Sequence, residues 1–313
     1  MTRAFIFPGQ GSQYTGMGKA LADAFEPARL VFEEVNDALG QNLSAIMWEE
    51  GQEDALRMTE NTQPALMAHS LAIVKILEAN GQSIADLASH VAGHSLGEYS
   101  ALCAAGTFSL SDTAKLLKLR GQAMQRAVPV GEGAMAAILG LEMDAVKQAC
   151  TAGEEEGVVV PANDNGGGQV VISGSKPAVE KAAEVAKELG ARRAVMLPVS
   201  APFHCPLMKP AADEMEEALS SVTLTSPSVP VIANVIAAPT SDVDQIRGLL
   251  VEQVCGSVRW RESVGSMADL GIDTLVEVGA GKVLSGMTRR IDKSLSGHNI
   301  QDPEQLDAFL NTL

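Results

Sequence analysis

The sequence predicts an α/β fold in which a smaller unit is inserted into a larger one, and three observations support this. A chain of 313 residues with 46% hydrophobic content is long enough for one large core and a smaller second one. Short apolar segments typical of buried strands alternate with amphipathic segments at helical spacing. Between residues 128 and 198 the predicted order becomes strand, helix, strand, strand, helix, strand, which is the order of a ferredoxin-like unit.

The first predicted strand, Ala4 to Phe7, leads directly into a glycine-rich loop, Pro8 to Gln13. Gly9 and Gly11 do not have the spacing of either common phosphate-binding loop. The loop instead fits a site where glycines let backbone N–H groups approach a reacting oxygen. Two amphipathic helices are then predicted to cover the sheet: Leu21 to Leu39 and Ala65 to Ala79.

The segment Gly93 to Gly97 has the pattern Gly-x-Ser-x-Gly, with an apolar strand before it and helical spacing behind it as far as Gly106. In a nucleophile elbow the serine lies on a sharp turn, and the flanking glycines avoid collisions with neighbouring elements. Ser95 is therefore the candidate nucleophile. The alternative is a turn of small residues that only packs a helix against a sheet.

The next helix is predicted to have Ser111 as its N-cap and to run to about Ala127. Its apolar stripe has Arg120 in the middle, so the guanidinium is expected to point inward. A buried guanidinium stays charged and needs an anion. Periodicity alone leaves two partners open: a carboxylate of the protein, or the carboxylate of a ligand.

The inserted unit is predicted from alternating apolar strands and two amphipathic helices. The strands are Gly133 to Leu139, Val158 to Ala162, Gln169 to Ser173 and Arg193 to Val199, and the helices are Glu142 to Ala152 and Lys176 to Leu189. The turn at Asn163 to Gly168 is a loop whose asparagines either cap the backbone or contact a ligand.

His204 lies where an extended segment with two prolines leads into a helix that ends near Leu219. A helix N-terminus beside its ring would keep the imidazole neutral and available as a base. A structural role for this histidine is the alternative. The rest of the larger unit is predicted to contain strands at Val229 to Asn234 and Thr274 to Glu277 and helices at Asp242 to Val254 and Ser263 to Ala268. No chemistry is predicted for the tail after Ser294.

Composition excludes several kinds of function. The net charge of −16 disfavours nucleic acid and anionic membranes as partners. The four cysteines form no C-x-x-C pair, so neither a zinc site nor a disulfide framework is expected. The N-terminus lacks the apolar core of a signal peptide, and no apolar run is long enough to cross a membrane. We therefore expect a cytoplasmic protein without a metal.

The motifs, taken in order, resemble those of malonyl-CoA:acyl carrier protein transacylases. GQGSQ, GHSLGE, Arg120, the inserted unit, PFH and EQVCGSVRW follow one another in the order of this family. Two positions depart from the family pattern: Cys205 replaces a frequent serine, and Asp164 replaces a common aromatic residue. The second departure leaves the role of its loop open.

The resemblance implies an α/β-hydrolase-like catalytic domain, residues 1–127 and 199–313, and a ferredoxin-like subdomain, residues 128–198. It also implies transfer of a malonyl group from malonyl-CoA to the phosphopantetheine thiol of an acyl carrier protein in fatty acid biosynthesis. The intermediate would be a malonyl ester of Ser95, formed with His204 as the base. No separate cofactor is implied, and we expect a monomer.

The remaining site residues are also carried by the resemblance. Arg120 matches the arginine that binds the free carboxylate of the malonyl group. Gln10 and Leu96 would supply the backbone N–H groups of the oxyanion hole. Backbone carbonyls near Gln253 would orient the histidine in place of an acidic residue, and Phe203 matches the malonyl-selective form.

An acidic carrier protein can approach a chain with this net charge only at a local basic surface. Arg192 and Arg193, at the start of the last strand of the insert, are the first candidates for that contact. Arg259 and Arg261 form a second cluster.

Three other functions remain open at this point. A stand-alone acyltransferase of polyketide synthesis would have similar motifs. A hydrolase is less consistent with an arginine suited to an acidic acyl group. A catalytically silent scaffold that binds carrier proteins would have no need of Ser95, His204 and Arg120 together.

Overall fold

A computed structural model describes residues 2–199 and 201–313 of the chain. The predicted large domain also includes residues 1 and 200, which lie outside this part. The strands are β1 (Arg3–Phe7), β2 (His90–Gly93), β3 (Gly133–Leu139), β4 (Val159–Asp164), β5 (Gln169–Ser175), β6 (Arg193–Met196), β7 (Val231–Ala233), β8 (Ala238–Thr240), β9 (Thr274–Val278) and β10 (Ser296–Ile300).

Helices surround two separate sheets. They are α1 (Lys19–Ala24), α2 (Glu26–Leu39), α3 (Leu43–Trp48), α4 (Glu53–Arg57), α5 (Thr59–Ala79), α6 (Ile84–Leu87), α7 (Leu96–Ala104), α8 (Leu110–Arg126), α9 (Met143–Gly153), α10 (Lys176–Glu188), α11 (Lys209–Ser221), α12 (Val243–Cys255), α13 (Trp260–Asp269), α14 (Val283–Ile291) and α15 (Pro303–Leu310). Short 3-10 turns lie at Glu154–Glu156 and Pro206–Met208.

The larger sheet has six strands in the order β10-β9-β1-β2-β7-β8. All neighbours are parallel except β7 and β8, which form an antiparallel pair. Strand β1 lies inside the sheet, and its last four residues are fully buried, as expected for a parallel strand covered on both faces. The loop after β1 and the elbow after β2 therefore lie at the same edge, because parallel neighbours end there together.

The smaller sheet is antiparallel, with the order β4-β5-β3-β6. This is the strand order of a ferredoxin-like unit, so the fold predicted for the insert is confirmed. Helices α9 and α10 pack on one face and enclose a separate core that includes Ile138, Val146 and Ile172. The domain limits at 128 and 198 remain a prediction, and all six elements fall within them.

Two predicted helix boundaries were wrong. The helix expected over Leu21 to Leu39 is divided into α1 and α2, because Phe25 is extended and Pro27 opens the second helix. Helix α8 begins after Ser109, whose side chain accepts the N–H of Asp112, so Ser109 rather than Ser111 is the N-cap.

Two further elements differ from the prediction. Helix α5 begins six residues earlier than expected, at Thr59, and contains Pro64 in its second turn. The tail after Ser294 forms β10, which extends the larger sheet, and α15. Within residues 2–199 and 201–313, no helix is both long enough and apolar enough to cross a membrane.

Candidate active site

Ser95 lies on a strained turn between β2 and α7. Its backbone has φ 54° and ψ −111°, a conformation that side-chain-bearing residues rarely adopt. The side chain of Asn234 fixes the turn with two hydrogen bonds: its Oδ1 accepts the Ser95 N–H at 2.8 Å, and its Nδ2 donates to the Gly93 carbonyl at 2.7 Å. The predicted nucleophile elbow is therefore present, with Ser95 at its tip.

The two glycines of the elbow are required by close backbone contacts. A Cβ on Gly93 would lie 1.9 Å from the carbonyl carbon of Gly97. A Cβ on Gly97 would lie 2.3 Å from the carbonyl oxygen of Phe7 in β1. Neither neighbour is a flexible side chain, so no larger residue fits without moving the sheet or the helix.

His204 contacts the hydroxyl of Ser95, with Nε2 2.7 Å from Oγ. Its Nδ1 faces two backbone carbonyls, those of Gln253 at 2.9 Å and Gly256 at 3.2 Å. Carbonyls only accept hydrogen bonds, so Nδ1 carries the proton and Nε2 is free to accept the proton of Ser95. These two carbonyls thus orient the His204 imidazole, as a carboxylate does in many serine enzymes.

The imidazole of His204 is neutral at physiological pH. Burial, and after it the positive charge of Arg120, lowers its pKa to about 3. His204 is 4% exposed and its ring is held by backbone carbonyls, so burial and the nearby charge account for the neutral state. This residue is available as a base across the neutral range.

Arg120 points inward from α8 and is 1% exposed. Its Nη1 donates to Gln63 Oε1 at 2.9 Å, and its Nη2 donates to Gln253 Oε1 at 2.8 Å and to Ser95 Oγ at 3.2 Å. All three partners are neutral, and among the described residues no carboxylate forms an ion pair with this guanidinium. Its Nε has no hydrogen-bond partner there. The structure therefore lacks the internal ion pair that periodicity left open, and a ligand carboxylate fits better.

A cavity of about 180 Å³ joins these groups. Its walls come from both units: the elbow and Phe203 on one side, β3 and β5 of the insert on the other. The apolar lining consists of Leu96, Met124, Met135, Val171, Leu197, Val199 and Phe203. The polar lining consists of Gln10, Gln63, His94, Ser95, Arg120, Asn163, Asn165 and His204.

Gln10 and Leu96, the two candidate donors of backbone N–H groups, line the same cavity as Ser95. Leu96 is the first residue of α7, where N–H groups have no acceptor within the helix. In the part of the chain that the structure describes, neither N–H donates to a protein acceptor. Gly9 packs so closely on the elbow that a Cβ would lie 2.7 Å from the His94 carbonyl oxygen. The arrangement is suited to hold an oxyanion formed on Ser95.

With this geometry, comparison with known proteins identifies the family. The family model of the acyl transferase domain matches residues 4–302. The chain belongs to the acyl transferase domain family. The resemblance inferred from the motifs is thereby confirmed.

Several members of the family are close relatives of this acyltransferase. It is 44% identical to the malonyl CoA-acyl carrier protein transacylase of Bacillus subtilis over 311 residues, which cover 99% of this chain and 96% of the relative. The Escherichia coli K12 protein of the same name is also 44% identical, with 98% of each chain covered. Among solved structures, the acyl-carrier-protein-S-malonyltransferase of Bartonella henselae is 55% identical, with a TM-score of 0.97 and coverage of 100% of this chain and 99% of that one.

The loop between β4 and β5 supports the acyltransferase site from the insert. Asn165 Oδ1 lies 3.0 Å from His94 Nε2, and Asp164 accepts a hydrogen bond from Arg261 at 2.8 Å. Asn163 and Asn165 also line the cavity. Asp164 thus binds an arginine of the larger domain, which gives the unusual acid a structural role.

The basic residues singled out from the sequence differ in their surroundings. Arg192 and Arg193 are exposed at the rim of the insert, and no ion pair of theirs is found among the described residues. Arg259 pairs with Glu262, and Arg261 pairs with Asp164. The second cluster is therefore already neutralised, whereas the first is free to attract an anion.

Three site residues were not predicted from the sequence. Gln63 is a partner of Arg120, Asn234 holds the elbow, and Glu98 lies beneath Gln253. Of these three residues, only Glu98 could have been found from the sequence. It follows Ser95 by three residues, so it lies one helical turn away on the same side of α7.

Proposed function

We propose that this acyltransferase moves a malonyl group from malonyl-CoA to the phosphopantetheine thiol of an acyl carrier protein and so supplies fatty acid biosynthesis. The observation that carries the proposal is the buried guanidinium of Arg120, whose hydrogen-bond partners among the described residues are all neutral and include the Ser95 hydroxyl. A malonyl thioester has one free carboxylate, which a single methylene separates from the carbonyl that Ser95 would attack, so the guanidinium beside the hydroxyl is suited to bind it. The names of the curated relatives and of the Bartonella structure support the same reaction.

In the first half-reaction Ser95 Oγ attacks the thioester carbonyl while His204 Nε2 takes its proton. The N–H groups of Gln10 and Leu96 stabilise the oxyanion. The carbon–sulfur bond then breaks, and the proton passes from His204 to the departing coenzyme A sulfur. The product is a malonyl ester of Ser95.

In the second half-reaction the phosphopantetheine thiol gives its proton to His204 and attacks that ester. The tetrahedral intermediate collapses with cleavage of the bond to Ser95 Oγ, which recovers the proton from His204. Each half-reaction uses the same base in both directions, so the two substrates take turns at one cavity. The side chains supply nucleophile, base and oxyanion donors, and the proposed reaction uses no other cofactor.

Arg120, Phe203 and Gln253 select the acyl group in this proposal. The guanidinium binds the free carboxylate, and Gln253 Oε1 fixes the guanidinium at 2.8 Å. Phe203, which is 8% exposed, forms an apolar wall of the cavity and limits the space beside the malonyl methylene. The carrier protein is proposed to contact Arg192 and Arg193 at the rim.

The alternative of a polyketide-type acyltransferase differs only in the carrier protein served. One similar structure is a malonyl-transacylase in complex with a type II PKS acyl carrier protein; it is 42% identical, with a TM-score of 0.96 and full coverage of both chains. The same three residues would act in either case. Transfer rates to carrier proteins of the two kinds, measured side by side, distinguish them.

Intact-mass spectrometry after mixing with malonyl-CoA tests the proposal. The protein should gain the mass of one malonyl group on Ser95, and Ser95→Ala should gain none, because the variant lacks the nucleophile but nothing bulky. His204→Ala should form the adduct more slowly by roughly 10²-fold or more, as expected when a general base is lost. A malonyl adduct that persists on Ser95→Ala would exclude this serine as the nucleophile.

A further inference from the structure

Beneath the acyltransferase cavity lies a buried hydrogen-bond network centred on Glu98. This residue is 2% exposed, and its Oε2 accepts two hydrogen bonds: from the Asn234 backbone N–H at 3.0 Å and from Gln253 Nε2 at 2.9 Å. The carboxylate touches neither the cavity nor the reacting groups. Its contacts reach the site only through other residues.

Gln253 is the residue through which Glu98 reaches the site. The Nε2 of this amide donates to Glu98 and to the Ser95 carbonyl at 3.0 Å, while its Oε1 accepts from Arg120. Its backbone carbonyl accepts from His204. One buried residue therefore contacts the nucleophile, the base and the arginine.

The orientation of this amide decides where Arg120 is held. If the amide turned over, its NH₂ group would face the guanidinium, donor against donor, and its oxygen would face the acceptors on Glu98 and Ser95. Both contacts would be repulsive, and buried polar groups left without partners are costly. Of these two acceptors only the Glu98 oxygen belongs to a side chain, so it is the one that a substitution can withdraw.

We propose that Glu98 is a positioning residue for acyl selection: it fixes the Gln253 amide so that Oε1 faces Arg120 and the guanidinium lies where an acyl carboxylate binds. The inference deepens the proposed function and rests on it. Loss of the acceptor removes one of the two amide anchors of the guanidinium, and the effect appears in the preference for malonyl over acetyl. A merely structural role would slow both acyl groups alike.

Two variants separate the position of the acceptor from the ionisable group. Glu98→Gln removes the ionisable group but keeps an oxygen that can take the place of Oε2 and accept both hydrogen bonds. Glu98→Asp keeps the carboxyl group but withdraws its oxygens by one methylene from Gln253. Glu252→Asp, an exposed acid beside Gln253 on α12, is the matched control.

The measurement is the rate of Ser95 acylation by malonyl-CoA and by acetyl-CoA, quenched and followed by intact mass, with thermal unfolding of each variant as the check of the fold. Glu98→Asp should lower the malonyl-to-acetyl rate ratio by about tenfold, the scale of one buried hydrogen bond. Glu98→Gln and Glu252→Asp should keep the ratio of the unaltered protein within about twofold.

A folded Glu98→Asp protein with an unchanged ratio overturns the inference, as does a Glu98→Gln protein whose ratio falls as far as that of Glu98→Asp. These outcomes concern only the positioning role. If the unaltered protein forms no malonyl adduct, the proposed function itself fails, whatever the variants do.

Discussion

At the scale of single residues, the chemistry depends on what surrounds Arg120 and His204. Both are buried, and each is held by neutral groups: amide oxygens around the guanidinium and backbone carbonyls behind the imidazole. His204 stays neutral because it is buried and because the positive charge of Arg120, buried at the same cavity, disfavours a second positive charge nearby. A ligand carboxylate bound to Arg120 would neutralise this charge, so the charge would no longer disfavour protonation of His204.

Replacing Arg120 should lower the preference for malonyl over acetyl more than it lowers the rate of acyl transfer that the two groups share. Arg120→Ala should lower the rate of malonyl transfer by a larger factor than the rate of acetyl transfer, because only the malonyl group carries a free carboxylate. A charge-assisted buried hydrogen bond contributes about 1.5 to 3 kcal/mol, so the loss for malonyl transfer should be about tenfold or more larger than the loss for acetyl transfer. Steady-state rates with both thioesters measure it. Equal losses for the two substrates would show that the arginine has only a structural role.

Residue types and their spacing were enough to select Ser95, His204 and Arg120 as candidates, because each lies in a short motif or at a definite position on a helix face, and the structure brings their side chains together. The partners of these residues were not predictable in the same way. Gln63 and Asn234 come from elements distant in the chain, and only packing brings their side chains to the site. An isolated glutamine or asparagine in a sequence has no pattern that indicates such a contact.

At the scale of elements, the site depends on how closely α7 approaches β1. The N-terminus of the helix lies against the end of the strand at Gly97, and the Ser95 hydroxyl is thereby raised into the cavity. The strained backbone of Ser95 is compensated by Asn234, which bonds both sides of the turn.

Gly97→Ala should therefore destabilise the protein and reduce acylation of Ser95. The added methyl would lie 2.3 Å from the Phe7 carbonyl oxygen, and overpacking of this kind costs about 1 to 3 kcal/mol. Gly265→Ala, in the middle of α13 with open space around its Cβ, is the control and should be neutral or stabilising by roughly 0.5–1 kcal/mol. Denaturant unfolding measures both. If Gly97→Ala unfolds at the same midpoint as the unaltered protein, the close contact is less restrictive than the geometry indicates.

The elements of the insert were predictable because its strands alternate apolar residues and its helices have one apolar face. Strand β10 was not, since its sequence, Ser296–Ile300, is mostly polar and only Ile300 is buried. It is a strand because it pairs with β9 at the edge of the sheet. That information lies in the neighbouring strand and not in its own sequence.

At the scale of the whole molecule, charge governs how a carrier protein approaches. A protein with a net charge of −16 repels an acidic partner at long range, so a local basic surface has to guide the encounter. Arg192 and Arg193 are exposed on the insert, and Arg192 packs against Gly140 beside the loop at Gly168.

Reversal of both charges, Arg192→Glu with Arg193→Glu, should slow the second half-reaction and leave the first nearly unchanged. The slower step should also lose much of its dependence on salt, because electrostatic guidance acts on association. Single-turnover transfer from the malonyl-serine form to carrier protein, compared with acylation by malonyl-CoA, measures the two steps. Equal slowing of both, or of neither, would exclude this surface.

Low pH should lower the free energy of unfolding, because buried histidines are neutral in the folded protein. Burial lowers the pKa of His69 to about 4 and, with the charge of Arg120, that of His204 to about 3. In the unfolded chain both take up a proton near pH 6.5, so the free energy of unfolding falls as the pH decreases from about 6.5 towards these values.

His69→Gln should reduce this acid sensitivity. At about pH 5 His69 alone accounts for roughly 2 kcal/mol of the decrease in unfolding free energy relative to neutral pH. Urea unfolding at several pH values measures the decrease, with exposed His298→Gln as the control. Identical pH profiles for His69→Gln and the unaltered protein would contradict the prediction.

Strand β3 faces two different environments because its side chains alternate. Ala134, Ala136 and Ile138 belong to the core of the insert, whereas Met135 and its neighbour on β5, Val171, line the catalytic cavity. Substitutions at the second pair leave the packing beneath α9 and α10 untouched. The cavity can therefore be reshaped from the insert side without disturbing the insert's own core, while Ser95, His204 and the candidate oxyanion donors remain on a separate scaffold.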